Sequence, residues 1–403
     1  MSSILFGAFD RHNFGDLLLP HVVAALLPGR EWVCAGLAQR DLRPYGGHAV
    51  QALADLAAAP GQRHAALVHV GGEILTCSAW QAAVMLLPTG QVQATLAYLQ
   101  GRPREQRQWV RRMVGTAALA PYTAARQRLP GVERVIHAGI GGVALASCEK
   151  ALREEVAAAL RTADHVAVRD RLTLAQLGAA GVPVQLMPDP AVMVADLFGR
   201  RIQAQANQGE VAALRSRFPR GYLALQFSAE FGDDATLAGL AAEVESAATA
   251  AGLGVVLFRA GAAPWHDDLD TLRRLAARLS PTQVHVFASL DLWSLCALVA
   301  YSRGYCGSSL HGRIVAMAFA RPRVNLRLPG PAADADGSAC ADKPAAFAAT
   351  WDLPEVPRSV EPGAAARGIQ QALAVDPARL QARAKDLVRE GRRGFQAIRQ
   401  WLG

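Results

Sequence analysis

The chain has 403 residues, 51% hydrophobic and 19% charged, with 42 Lys+Arg against 34 Asp+Glu for a net charge of +8. It is too apolar for a disordered chain and too long for one ordinary core, so two domains are expected. The start of the chain lacks a basic-then-apolar leader, no apolar run approaches the ~20 residues of a membrane-spanning helix, and the six cysteines form no C-x-x-C pair. A cytoplasmic protein with reduced structural thiols is therefore expected.

In chain order, residues 4–8 read as a short apolar strand, followed by a loop and an apolar helix around 17–27. Residues 65–70 form the next strand and end at Gly71-Gly72; residues 135–138 end at Gly139-Ile-Gly141-Gly142. Residues 149–163 have helical composition. Residues 165–168 return as a strand that closes on Arg169-Asp170, and 184–187 precede the turn Pro188-Asp189-Pro190. This is the rhythm of a doubly wound parallel sheet. A second alternation follows the polar stretch 200–221. Its strands are 222–227, 255–258, 284–287, 304–307 and 324–326, with a helix near 311–320. Residues 330–338 are rich in Pro, Gly and Ala and are expected as loop. Helical periodicity returns with Leu380, Ala384, Leu387, Val388, Gly391, Phe395, Ile398 and Trp401 on one stripe. The expected architecture is α/β: one Rossmann-like domain over 1–200, a second over 215–350, and a helical segment over 360–403.

Only three of the basic residues are lysines, Lys150, Lys343 and Lys385. An arginine- and alanine-rich composition reflects coding bias, so the net charge alone does not indicate nucleic acid. Residues 101–128 hold seven arginines against Glu105, and residues 376–403 hold seven basic residues against Asp376, Asp386 and Glu390. Together the two segments carry +10, which leaves the rest of the chain at −2. Nucleic-acid binding is not expected, because no recognition motif accompanies the charge. The arginines around Trp109 suit either an anionic acceptor or a solvated face, and the terminal stripe suits either a packed helix or a membrane surface.

In an open α/β sheet, ligands bind outside the carboxyl ends of the strands. Here those ends carry Asn13-Phe-Gly15-Asp16, Gly71-Gly72, Gly139-x-Gly141-Gly142, Arg169-Asp170, Asp189-Pro190, Gln226 and Ser308-Ser309-Leu-His311. His311 follows two serines at the expected start of a helix, where free N–H groups and a positive partial charge favour an anion. It is either a proton donor beside that anion or a histidine packed on a serine-capped turn. Arg169 and Asp170 are either ligand groups or a strand-end salt bridge. Lys343 stands out as a compact ammonium in an arginine-rich chain. His266-Asp267-Asp268 resembles a metal triad, but neighbours on one helical turn do not converge on one ion, and Asp267 reads better as an N-cap.

Together these motifs resemble the polysaccharide pyruvyl transferase family. The resemblance rests on Asn13-Phe-Gly-Asp16, Val70-Gly-Gly72, Ala167-Val-Arg-Asp170 with Leu174 and Leu177, Pro188-Asp-Pro190, and Ser309-Leu-His311-Gly followed by Ile314, Ala316 and Pro322. It implies a GT-B-like pair of Rossmann-type domains, with the terminal helix packing back on the N-terminal one. It also implies transfer of pyruvate from phosphoenolpyruvate to two hydroxyls of a saccharide or lipid-linked saccharide, giving a cyclic ketal. No redox cofactor or required metal follows. A nucleotide-sugar glycosyltransferase and a non-catalytic saccharide-binding relative are the alternatives.

On that resemblance His311 is the acid. Arg169, Ser308, Ser309 and Lys343 serve the donor anions, and Asp16 orients or deprotonates the acceptor hydroxyl. Asn13, Gly15, Gly71, Gly72 and Gly141 line the acceptor side or cleft. The family often has Ser-Arg-Leu-His where this chain has Ser308-Ser309-Leu-His311, so one cation is missing, and Arg313, one helical turn on from Ser309, either supplies it or points away. Glu73 stands where the family has a third glycine. The expected location is cytoplasmic, with peripheral contact at the inner face of a membrane.

Overall fold

In the computed structural model, which describes residues 1–59, 61, 63–330 and 342–402, short apolar runs become the strands of two sheets. The first sheet contains β1 (Ser3–Phe6), β2 (Trp32–Gly36), β3 (Arg40–Asp41), β4 (Ala49–Ala52), β5 (His64–Val70), β6 (Val132–Ile140), β7 (His165–Val168) and β8 (Gln185–Leu186). Their spatial order is β3-β4-β2-β1-β5-β6-β7-β8, parallel except for the edge pair β3–β4. The second sheet contains β9 (Tyr222–Gln226), β10 (Gly254–Phe258), β11 (Val284–Phe287), β12 (Gly304–Gly307), β13 (Arg323–Leu326) and β14 (Ser359–Val360), all parallel in the order β11-β10-β9-β12-β13-β14. Central strands such as Tyr-Leu-Ala-Leu-Gln in β9 and Gly-Val-Val-Leu-Phe in β10 are buried throughout. Helices covering both faces of a parallel sheet require such continuous apolar runs.

Each sheet starts in its middle and is wound outward in both directions. The direction reverses between β1 and β5 in the first sheet and between β9 and β12 in the second. These reversals open crevices at the carboxyl ends of the strands. Each sheet has its own core: Phe6, Leu67, Val135, Val156 and Leu160 belong to the first, and Leu225, Leu237, Leu240, Val244 and Leu257 to the second.

The chain divides into one unit of Met1–Pro190 with Glu390–Gly403 and another of Ala191–Arg389. The terminal helix Pro377–Leu402 contributes its last turns to the first unit. There Phe395 and Ile398 are buried, and the Arg399 guanidinium donates to the Leu26 carbonyl at 2.5 and 3.2 Å. Trp401, on the same sequence stripe, is exposed.

Several elements differ from the sequence expectation. β2 and β4 were not expected; only the last two residues of β2 are buried, and its Trp-Val-Cys-Ala-Gly run has no clear period. β6 does not stop at Ala138. It continues to Ile140 through a register shift after His137, where Gly139 adopts φ 64°. A left-handed glycine in a strand is a common way to absorb an extra residue. The polar stretch 200–221 is largely helical, within Val194–Ala206 and Gly209–Arg217. Of the expected loop 330–338, residues 331–338 lie outside the described residues.

Candidate active site

The first crevice is built by the loop after β1. Asn13 caps the helix Phe14–Leu26 through its side-chain oxygen, which accepts from the Gly15 and Asp16 N–H groups at 3.1 and 3.5 Å. Asp16 therefore sits in the first helical turn, buried, where the helix dipole favours its negative charge. Gly71 and Gly72 turn the chain after β5 with φ 52° and 75°. A Cβ on Gly72 would lie 3.5 Å from Asp16 Oδ1, so a side chain there would cover the carboxylate.

Behind Asp16 is a group of residues that sequence reading did not single out. Asp10 accepts from the Leu37 and Ala38 N–H groups at 2.5 and 3.2 Å and from the Tyr122 hydroxyl at 2.9 Å. Arg11 donates to the same hydroxyl at 2.8 Å. Burial pushes the Asp10 carboxyl up, against the pull of Arg11, Tyr122 and the two N–H groups.

Arg169 does not pair with Asp170 as the salt-bridge alternative supposed. Its guanidinium donates to Asp189 Oδ2 at 3.0 Å and to Glu73 Oε2 at 2.7 Å, with its side chain 2% exposed. Asp170 instead caps the helix Arg171–Ala179, accepting from the Thr173 N–H and hydroxyl at 2.7 and 2.9 Å. Glu73, in place of a third glycine, shares the arginine with Asp189 and accepts from the Val143 N–H at 2.6 Å. Gly141 lies directly beneath this pair; a Cβ there would collide with Glu73 Oε2 and with the Arg169 guanidinium. With two carboxylates on one guanidinium, the Arg169 cluster carries no surplus positive charge.

The second crevice has a different electrostatic character. Gln226 ends β9 and is almost fully buried. Its Oε1 accepts from the Ser309 N–H at 2.8 Å and the Tyr305 hydroxyl at 3.1 Å. Its Nε2 donates to Asp267 Oδ1 at 2.8 Å and to Ser308 Oγ at 3.5 Å. One amide therefore ties the loops after β9, β10 and β12 together. Ser308 Oγ also accepts from the Ser228 N–H at 3.1 Å. Ser309 is the N-cap of the helix Leu310–Ala318, accepting from the Gly312 N–H at 3.2 Å, and His311 is buried in the first turn. His311, Ser308 and Ser309 therefore share one helix N-terminus at the point where the winding reverses.

Arg313, the candidate for the missing cation, is committed elsewhere. Its Nη2 donates to Asp352 Oδ2 at 2.6 Å, and its Nη1 donates to Asn325 Oδ1 at 3.0 Å and to the Arg358 carbonyl at 2.9 Å. Arg323 binds the same carboxylate at 2.5 and 2.9 Å. Burial opposes ionisation of Asp352, but the two guanidiniums outweigh it and hold the pKa down at about 2. Asn325 in turn donates to the Gly307 and Ser309 carbonyls at 2.6 and 3.2 Å. Arg313 thus braces the Ser309 loop from below.

The N-cap expected at Asp267 is Asp268, which accepts from the Thr271 N–H and hydroxyl at 2.8 and 2.7 Å. Asp267 faces Gln226 and the Ala260 N–H, the latter at 2.6 Å. The surrounding protein pushes its carboxyl up to about 7, against those hydrogen bonds and Arg259. His266 turns to the Pro264 carbonyl at 3.0 Å. Among the described residues, no group of three His, Cys, Asp or Glu is placed to hold a metal ion.

Arg259, immediately after β10, was not singled out from the sequence. Its buried Nε has no acceptor among the described residues. The signal was present in the sequence: an arginine directly following the apolar run Val255–Phe258. Lys343 is exposed at the first position of the helix Lys343–Trp351.

Solved structures share the architecture across nearly the full chain. A UDP-GlcNAc 2-epimerase from Neisseria meningitidis bound to UDP-GlcNAc is 12% identical with a TM-score of 0.52, covering 99% of this chain and 98% of its own. The S. aureus MnaA–UDP complex is 11% identical with a TM-score of 0.54, covering 95% and 91%. A UDP-forming α,α-trehalose-phosphate synthase from Burkholderia xenovorans is 13% identical with a TM-score of 0.51, covering 100% and 99%. At such identity the likeness establishes the fold, that of GT-B enzymes. No curated protein matches the chain in sequence. Residues 139–327, from the glycine turn in β6 to the residue after β13, match the polysaccharide pyruvyl transferase family model.

Proposed function

We propose that the protein transfers pyruvate from phosphoenolpyruvate to two hydroxyls of a saccharide, closing a cyclic ketal and releasing phosphate. The observation that carries this reading is His311 in the first turn of a serine-capped helix at the winding reversal of the second sheet, inside the region that matches the family. The donor carries a phosphate and a carboxylate, which suit a helix N-terminus and nearby cations. The second unit offers Ser308, Ser309, Lys343 and, in place of Arg313, Arg259.

His311 gives a proton to the methylene carbon of the enol, leaving C2 electrophilic. One acceptor hydroxyl adds to C2, the C2–O–phosphate bond breaks, and the second hydroxyl closes the ring. Of the two hydroxyl protons, one restores His311 and the other leaves with phosphate. Asp16 orients or deprotonates the acceptor hydroxyl, with Asn13, Gly15, Gly71, Gly72 and Gly141 shaping the acceptor side. Arg169, neutralised by its carboxylates, keeps the Gly141 turn in place. No helix among the described residues is long and apolar enough to cross a membrane. The exposed arginines of the helix Pro103–Val114 are assigned to an anionic acceptor, such as a lipid-diphosphate-linked saccharide presented at a membrane surface.

Binding of phosphoenolpyruvate against UDP-, GDP- and CMP-sugars by thermal shift tests the donor. A preference for phosphoenolpyruvate is expected. A preference for a nucleotide sugar would replace this reading with a glycosyltransferase.

A further inference from the structure

The second unit has a cavity of about 570 Å³ at the opposite edge of its sheet. Its wall includes Gly221 and Tyr222 at the start of β9, Arg303 immediately before β12, and Arg321 two residues before β13. Parallel strands of this length separate it from Gln226 and Ser308 by about 15 Å. It belongs to neither crevice described above.

The charge of its lining is one-sided. Arg215, Arg303 and Arg321 all border the cavity, together with Ser216, Ser302 and Tyr301, and the lining contains no aspartate or glutamate. Each arginine is held by neutral acceptors. Arg215 donates to the Ala206 carbonyl at 3.0 Å and to Asn207 Oδ1 at 2.8 Å, with its guanidinium 4.8 Å from the Tyr301 ring centre. Arg303 Nε donates to the Arg220 carbonyl at 3.1 Å, and Arg321 Nε to the Ala300 carbonyl at 2.6 Å. These contacts orient the guanidiniums and leave their charge uncompensated. Burial, then the neighbouring Arg303, pulls the Arg321 guanidinium below its usual range.

The backbone accommodates this crowding. Gly221 has φ 100°, and a Cβ there would collide with Arg303 Cγ. Only glycine lets the Arg303 stem lie across the strand entrance. Three oriented cations in a recess with no counter-charge form a site for an anion with several oxygens. The volume exceeds that of a single phosphate and falls within the range of small-ligand pockets.

We propose that this cavity binds a small soluble polyanion bearing two phosphates, such as a nucleoside diphosphate or a diphosphate-linked sugar. It does so independently of the crevice at the other end of the strands. Anion binding here relieves the repulsion among the arginines and stabilises the second unit, so the ligand acts as an effector of its stability.

The test is isothermal titration of the full chain with inorganic pyrophosphate at physiological ionic strength, comparing wild type, Arg215→Ala/Arg303→Ala and His311→Gln. Both arginines are exposed enough for the double variant to fold, which circular dichroism checks. Saturable binding to wild type and to His311→Gln is expected, weakened at least tenfold in the double variant because each charge-assisted contact counts. Three results would overturn the proposal. These are no saturable binding to wild type, equal affinity in the double variant, or loss of binding in His311→Gln instead, which would put pyrophosphate in the other crevice.

Discussion

Asp352→Asn is the sharpest probe of how the second crevice is supported. The substitution keeps the side chain's shape and removes its charge. In the native protein this carboxylate is 1% exposed and serves two guanidiniums that are 0% exposed, Arg313 and Arg323. Removing it leaves two buried cations facing an amide, one half of which presents donors to donors. Breaking a buried pair by deleting one partner costs about 3–5 kcal/mol. Titration offers an independent lower bound. The native pKa is about 2 against 3.8 for the free group, so the paired carboxylate contributes about 2 kcal/mol above the unfolded pKa, lost as pH falls from about 4 to 2. The two magnitudes are consistent, because protonation leaves the oxygens in place whereas the amide does not. The assay is urea unfolding at neutral pH, alongside hydrogen exchange across residues 307–312. We expect a loss of about 3 kcal/mol or more, with faster exchange in that segment, because Asn325 transmits the cluster to the Gly307 and Ser309 carbonyls. A loss under about 1 kcal/mol with unchanged exchange would refute the bracing role and make Arg313 a candidate donor cation again.

Gln226→Leu should leave the Ser309 N–H and the Asp267 carboxyl without their shared partner, at about 1–3 kcal/mol for each buried group, and lower turnover more than stability explains; a near-normal rate would contradict it. Asp267→Asn should remove a titration near pH 7 from the pH–rate profile, and an unaltered profile would show that the carboxyl plays no part in turnover. His69 and His48 have pKa values held down to about 3 by burial. Below the free value of about 6.5 the unfolded chain takes up protons that the native chain does not. Stability should therefore fall by about 1.4 kcal/mol per pH unit for each histidine on acidification. Thermal melts at pH 7.5 and 5.5 should show this as a lower midpoint in acid, and a flat response would oppose it. His311→Gln should abolish turnover with the fold intact, as read by circular dichroism; normal rates would remove it as the acid.

The buried strands were legible because both faces of a parallel sheet must be apolar, so β5, β7, β9, β10 and β12 appear as short, largely apolar runs. β2 escaped because its outer half is only half-buried and carries no period. The serine cap before His311 was legible because a cap acts through backbone groups two or three residues away. Long-range pairing was not. Nothing local indicates that Glu73 reaches Arg169 across 96 positions, or that Asp352 neutralises Arg313 from 39 positions away. The exchange of roles between Asp267 and Asp268 is a one-residue shift in where the helix begins, which composition does not resolve. Lys343, singled out by the scarcity of lysine, is exposed at a helix start, whereas Arg259 has the buried, unsatisfied donor that a ligand cation would have.

The most direct measurement incubates the protein with phosphoenolpyruvate and a panel of saccharides and lipid-linked saccharides, following phosphate release and product mass together. Phosphate released one-for-one with an acceptor that gains a pyruvate less one water is the predicted result. Phosphate release without that mass gain, or transfer of a sugar from a nucleotide donor under the same conditions, would contradict it.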